Sequence, residues 1–208
     1  MVHIFDHIAL EFPEKEIFFR LGGHCVKTGL NDHDKLHLMQ TSRRAFELCR
    51  PQGRWMKLKI NSVSSDGVDT EKGFLQLGRV FMQKYDRAAF LWCGAATIGN
   101  KLTTARDELK LLADSAIYDA VGSECADRTM DTVFRLSSSE LLRQGMALTP
   151  HRFSPGYGDM PLEMQRFLFN ALDMAQMGVM VNEYNYLIPE KSVTAFAFIN
   201  TLQGNIVS

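Results

Sequence analysis

Met56, Leu58 and Ile60 alternate with Lys57, Lys59 and Asn61, the period-two pattern of a strand with one wet face. Asp66-Gly67 supplies turn chemistry after it, and a return strand from Val68 to Phe74 would complete a hairpin. The next pattern has no polar interruption. Ala88 to Gly99 is apolar almost throughout, which predicts a strand buried on both faces at the centre of a sheet. Beyond the Gly99-Asn100 break, Leu102, Ala105, Leu109 and Leu112 recur with the helical period. A further helical stretch from Ala113 is rich in small residues through Ala126, a composition that lets backbones pack closely. Asp119 and Glu124 interrupt it, and a carboxylate on a buried face needs a partner.

Towards the N-terminus, Pro13-Glu14-Lys15-Glu16 opens a short helix that Gly22-Gly23 ends, and a second helix runs from about Asp32 to Cys49. Ser137-Ser138-Ser139-Glu140 has the form of a capping box and predicts a new short helix through Leu142. Asp159 and Pro161 mark another helix start, with the helix ending near Gly178. Val179, Val181 and Glu183 begin an alternating segment, Pro189 marks a turn, and Ser192–Ile199 is a last strand. Helices, a hairpin and late strands without a βαβ rhythm predict an α+β fold, helices packed on a mainly antiparallel twisted sheet. The 208 residues suit one domain, with a helical and hairpin lobe over 1–85 and the remaining core over 86–208.

Composition narrows the classes. With 46% hydrophobic and 23% charged residues and a net charge of −1, no basic stripe is available for nucleic acid. No apolar run is long enough to span a bilayer, and the N-terminus lacks the form of a signal peptide, so the expected compartment is the cytoplasm. Cys25, Cys49, Cys93 and Cys125 are too widely spaced for a zinc knuckle or a redox dithiol; they read as small buried residues or surface thiols. His33 and His37 stand four apart, as helical metal ligands can, but with no third ligand nearby they read as a solvated helix start.

The candidate chemistry lies in His151–Pro161, where a fixed cation, an aromatic, two glycines and two prolines share eleven residues. Pro155 keeps Ser154 out of the helical region, while Gly156 and Gly158 permit positive φ and close approach of a ligand to the backbone. Arg152 offers a planar fork of donors suited to a carboxylate, and Tyr157 a flat apolar face with a polar tip. Two readings fit these residues. In one the loop receives a small ligand; in the other it is a tight turn, with Arg152 paired to a neighbouring acid and Tyr157 packed as a lid.

Arg152-Phe153-Ser154-Pro155-Gly156-Tyr157 resembles the Arg-x-x-x-Gly-Tyr motif of the activation domain of cobalamin-dependent methionine synthase, and is most similar to its short stand-alone versions. The similarity extends upstream to Ala96-Thr97-Ile98-Gly99 and to Tyr118–Glu124, and downstream to Gly178–Glu183, Pro189 and Ser192-Val193-Thr194, covering about residues 86–200. It implies that Arg152 binds the methionine carboxylate of S-adenosylmethionine, that Gly156 allows backbone contact, and that Tyr157 lines the adenosine or sulfonium side. Asp119 would stand where an acid meets the ligand's amino end in larger homologues, with Ser154 and Glu124 completing the set. The longer enzymes also carry an aspartate-containing ligand segment near the domain's start, with no match in residues 1–30, and a ligand-contacting tyrosine after the last strand, with no match here.

The resemblance implies reductive reactivation. Cob(II)alamin is reduced by one electron from a flavodoxin-like or other donor, and cob(I)alamin is then trapped by methyl transfer from S-adenosylmethionine. The chain lacks Asp-x-His-x-x-Gly, the cobalamin-binding signature, so cobalamin would arrive on a partner, a corrinoid-binding methionine synthase polypeptide or related corrinoid protein. No catalytic residue or metal ligand is expected, because the task is orientation. The alternative is a non-catalytic module that binds S-adenosylmethionine or docks a partner. A Rossmann-type methyltransferase is disfavoured, since no glycine-rich turn of the required form follows the strand ending at Ile98.

Overall fold

The computed structural model describes residues 1–22 and 29–202. In chain order its elements are β1 (His3–Phe5), α1 (Glu14–Arg20), α2 (Asp32–Leu48), β2 (Gln52–Val63), β3 (Gly67–Thr70), β4 (Gly73–Gln76), α3 (Arg79–Met82) and β5 (Phe90–Thr97). There follow α4 (Lys101–Asp107), α5 (Leu112–Arg143), β6 (Met146–Leu148), α6 (Met164–Ala171), a 3-10 turn (Met174–Met177), β7 (Met180–Val181), β8 (Leu187–Ile188) and β9 (Ser192–Thr201). Gly23 and Cys25 lie outside the described residues.

The apolar run becomes β5, buried from Leu91 to Thr97 between β2 and β9. The sheet order is β4-β3-β2-β5-β9-β6, with β1 on β2, and the described strand pairs are antiparallel. This is the expected α+β class. Because alternate side chains of a strand face opposite ways, Leu91, Cys93, Phe196 and Phe198 enter one core with α3 and α6, while Trp92, Ala96, Ala195 and Ala197 enter another beneath α5. A third core joins α1, α2, α4 and α5 through Ile17, Leu38, Leu102 and Val121. The approach of α5 to the sheet depends on Gly53, where a Cβ would come 2.1 Å from Val133 Cγ2. Lys57 of β2 lies opposite Trp92 of β5, so the sheet runs across residue 85 without a break.

Several elements differ from the pattern. The return strand over Val68–Phe74 is two strands, because the Thr70 hydroxyl accepts the Lys72 N–H and donates to the Gly73 carbonyl, closing a turn there. Ser137–Glu140 starts no helix, since α5 runs through it. A capping serine needs non-helical backbone, whereas here Ser137 and Ser139 donate to the carbonyls of Phe134 and Arg135 one turn back. Ser137 also accepts the buried Trp92 indole N–H at 2.9 Å. Helix α4 ends at Asp107, leaving Leu109 in the connection and Leu112 at the start of α5. The stretch expected to be one helix to Gly178 is broken at Asp173, which is left-handed with φ 50°. There the buried Arg54 donates to the Leu172 and Asp173 carbonyls, a cation at a helix C-terminus. Among the described residues no helix is long and apolar enough to cross a membrane.

Candidate functional site

The loop leaves β6 stitched to β9. Thr149 N–H donates to the Phe198 carbonyl, and Phe153 and Phe196 exchange backbone bonds at 2.9 and 2.8 Å. Strand-like alternation at this bridge divides the side chains. Phe153 turns into the core against Phe81, ring centroids 5.2 Å apart, while its neighbour Arg152 reaches α5. The Arg152 guanidinium donates to Asp131 Oδ1 at 2.5 Å and lies 5.6 Å from the Phe134 ring centroid, a salt bridge and a cation–π contact together. The neighbouring acid of the tight-turn reading is therefore present. The lid is not: Tyr157 is 62% exposed and meets Phe153 in a T-shaped contact with ring centroids 5.6 Å apart. The Ser154 carbonyl accepts the Tyr157 N–H, and Gly156, at φ +85°, donates to the Met160 carbonyl.

The predicted start of α6 at Asp159 is displaced to Met164. Asp159 has another task. Its carboxylate accepts the N–H groups of Arg79 and Val80 at 2.8 and 3.1 Å, capping α3 across the molecule. The Val80 and then the Arg79 N–H hold this carboxyl below the ordinary carboxylate range.

Asp131 lines a cleft of about 620 Å³ between α5, α1 and the segment Ala9–Glu11. Its charged walls among the described residues are Glu11, Glu16, Glu124 and Asp131 against Arg128 and Arg135. Four carboxylates against two guanidiniums favour a cationic guest. Glu124 is largely buried and takes hydrogen bonds from Arg20 and Arg128, both at 3.4 Å, while Arg128 also pairs with Glu16 at 2.6 Å. Glu124 and the partner of Arg152 thus share one cleft.

Asp119 stands apart. At about 1.5 Å per residue, the stretch of α5 from Asp119 to Asp131 is about 18 Å long. Asp119 lines a neighbouring cleft, bonded to Lys191 Nζ at 2.7 Å and Arg106 Nη1 at 3.0 Å, with Glu190 paired to the same guanidinium. Burial alone would raise its carboxyl pKa, but Lys191 and then Arg106 outweigh that and lower it. The cation each acid needed is thus present in both cases.

Asp131, Arg128 and Arg135 escaped the sequence reading, although a signal existed. Glu124, Arg128, Asp131 and Arg135 recur at intervals of four, three and four, one charged stripe on a helix face. Placing a helix start at Ser137 hid its continuity. The two histidines also separate: His33 is exposed and His37 pairs with Asp114 at 2.8 Å. Among the described residues no group of three metal-ligating side chains comes together.

No protein-family model matches the sequence, and neither does any curated protein. Among solved structures, the fold is similar to the crystal structure of the MetH reactivation domain bound to AdoHcy, with a TM-score of 0.64 over 95% of this chain and 78% of that one. The sequence identity is 13%, so the likeness is one of fold.

Proposed function

We propose that this chain binds an S-adenosylmethionine-type ligand beside Arg152, in the cleft between α5, α1 and the segment Ala9–Glu11. The observation that carries the reading is the placement of Arg152: a guanidinium aimed by Asp131 at the rim of an acid-rich cleft of about 620 Å³, within the size range of small-molecule sites. The fold likeness to a domain bound to AdoHcy supports it. The donor set fits the ligand: Arg152 suits the carboxylate, while Glu124 and Asp131 suit the ammonium and sulfonium charges. Ser154, Gly156 and Tyr157 follow Arg152 on the same loop, and in this reading the adenosine extends from the cleft toward them. Asp119, committed to Lys191 and Arg106, is a tie between elements in this reading.

When bound, S-adenosylmethionine supplies the sulfonium methyl group for transfer to cob(I)alamin carried by a corrinoid-binding partner and kept reduced by a flavodoxin-like donor. The residues of this chain bind and orient; the gain is proximity. The rival reading, a binder without turnover, draws on the same ion pair, because Asp131 already occupies Arg152. The two are separated by mixing the protein with its corrinoid partner, an electron donor and S-adenosylmethionine. Conversion of the cob(II)alamin spectrum to that of methylcobalamin is expected, with Tyr157→Ala impairing turnover beyond any loss of affinity. An unchanged corrinoid spectrum despite ligand binding decides for the binder.

A further inference from the structure

We infer that Asp159 and Gly78 are positioning residues: they clamp the 151–161 loop onto the first turn of α3 and so hold in place the loop that carries Tyr157 and, bonded to the cleft residue Asp131, Arg152. The functional consequence rests on the ligand reading above.

The clamp has two halves. On the loop side, both carboxylate oxygens of Asp159 take backbone N–H groups of α3, Oδ2 from Arg79 and Oδ1 from Val80. On the α3 side, Gly78 gives the loop room. A Cβ there would lie 2.5 Å from Asp159 Oδ1 and 2.8 Å from both the Asp159 carbonyl carbon and Met160 N, two of them backbone atoms that cannot move aside. Gly78 also has φ +79°, which an L side chain resists. A helix of four residues has little stability alone, so it serves as an abutment only if it is itself held. It is: the Leu77 and Gly78 N–H groups both donate to the Asp66 carbonyl at 2.8 Å, and Phe81 stacks on Phe198 with ring centroids 4.4 Å apart. Met160, next to the clamp, is buried and passes the restraint back, because its N–H donates to the Tyr157 carbonyl and its carbonyl accepts from Gly156. A loop ordered in advance spends less binding energy on ordering when its ligand arrives.

The test compares Asp159→Ala, Asp159→Asn and Gly78→Ala with wild type in the full chain, by amide hydrogen exchange and by titration with S-adenosylhomocysteine. In Asp159→Ala, exchange at Arg79, Val80, Tyr157 and Met160 should speed up by about tenfold while that of β5 is unchanged, and affinity should fall by about tenfold. Asp159→Asn keeps one acceptor oxygen and should fall between. Gly78→Ala, if folded, should match Asp159→Ala. Unchanged loop exchange in Asp159→Ala, or unchanged affinity where wild type binds, overturns the clamp. A wild type that binds no ligand removes the ligand reading, and loop exchange alone then decides for or against the clamp.

Discussion

Arg152 and Asp119 both belong to the ligand set that the resemblance implies, and their surroundings give them different work. Arg152 sits at a rim with one acid partner at 2.5 Å, so a ligand carboxylate can approach the remaining donors of its fork. Asp119 is held by two cations from α4 and the start of β9's approach, Arg106 and Lys191, although its side chain is 49% exposed. Its folded pKa is lowered, so it contributes stability that is present above the unfolded carboxylate value and is lost as pH falls through the folded one. Thermal unfolding of wild type and Asp119→Asn should therefore differ by a constant amount at neutral pH, with the gap closing below about pH 4. A gap that persists unchanged at acid pH would contradict this pairing. The sequence shows that Asp119 and Glu124 need partners, because acids on an otherwise apolar helix must be paired. It does not show which ones, since Lys191 lies 72 residues away from Asp119 and Arg20 lies 104 from Glu124.

Helix α5 joins the cores. Its apolar face covers the sheet through Met130 and Val133, and its charged face carries Glu124, Arg128, Asp131 and Arg135 into the cleft. The packing has no slack at Gly53, whose missing side chain is the space that Val133 fills. Gly53→Ala should cost about 1–3 kcal/mol by overpacking, and Val133→Ala in the same chain should recover part of it. A denaturant-unfolding double-mutant cycle checks this, and strictly additive losses would rule out the contact. The continuity of α5 was the least legible feature at this scale. Three serines and a glutamate imitate a helix start by local chemistry, and only the tertiary bond from Trp92 to Ser137 shows the hydroxyl employed inside a helix. The strands β1 and β6 were invisible for a related reason: three residues each, they owe their conformation to the edges of β2 and β9 rather than to any pattern of their own.

For the whole molecule, the buried run of β5 announced the centre of the sheet, and turns with glycine or proline announced most of its boundaries. The order of strands around β5 was not legible, because partners chosen over long separations leave no local mark. The same limit applied to the cleft. Its walls come from residues 9–16 and 124–135, and Arg152 of the 151–161 loop bonds to its wall at Asp131, segments brought together only by the fold. Its excess of carboxylates makes a charge prediction: S-adenosylmethionine, which carries the sulfonium charge, should lose affinity with added salt more steeply than neutral-sulfur S-adenosylhomocysteine. Comparing the salt slopes of the two ligands checks it, and equal slopes would remove the acids from the site.

The central claim, a ligand held beside Arg152, is tested most directly by calorimetric titration of S-adenosylhomocysteine into wild type and Arg152→Ala at low ionic strength. Saturable heat is expected with wild type. The variant should remain folded and bind more weakly by about 1.5–3 kcal/mol, the worth of a charge-assisted contact. No heat with wild type, or the same affinity in the variant, would contradict the account.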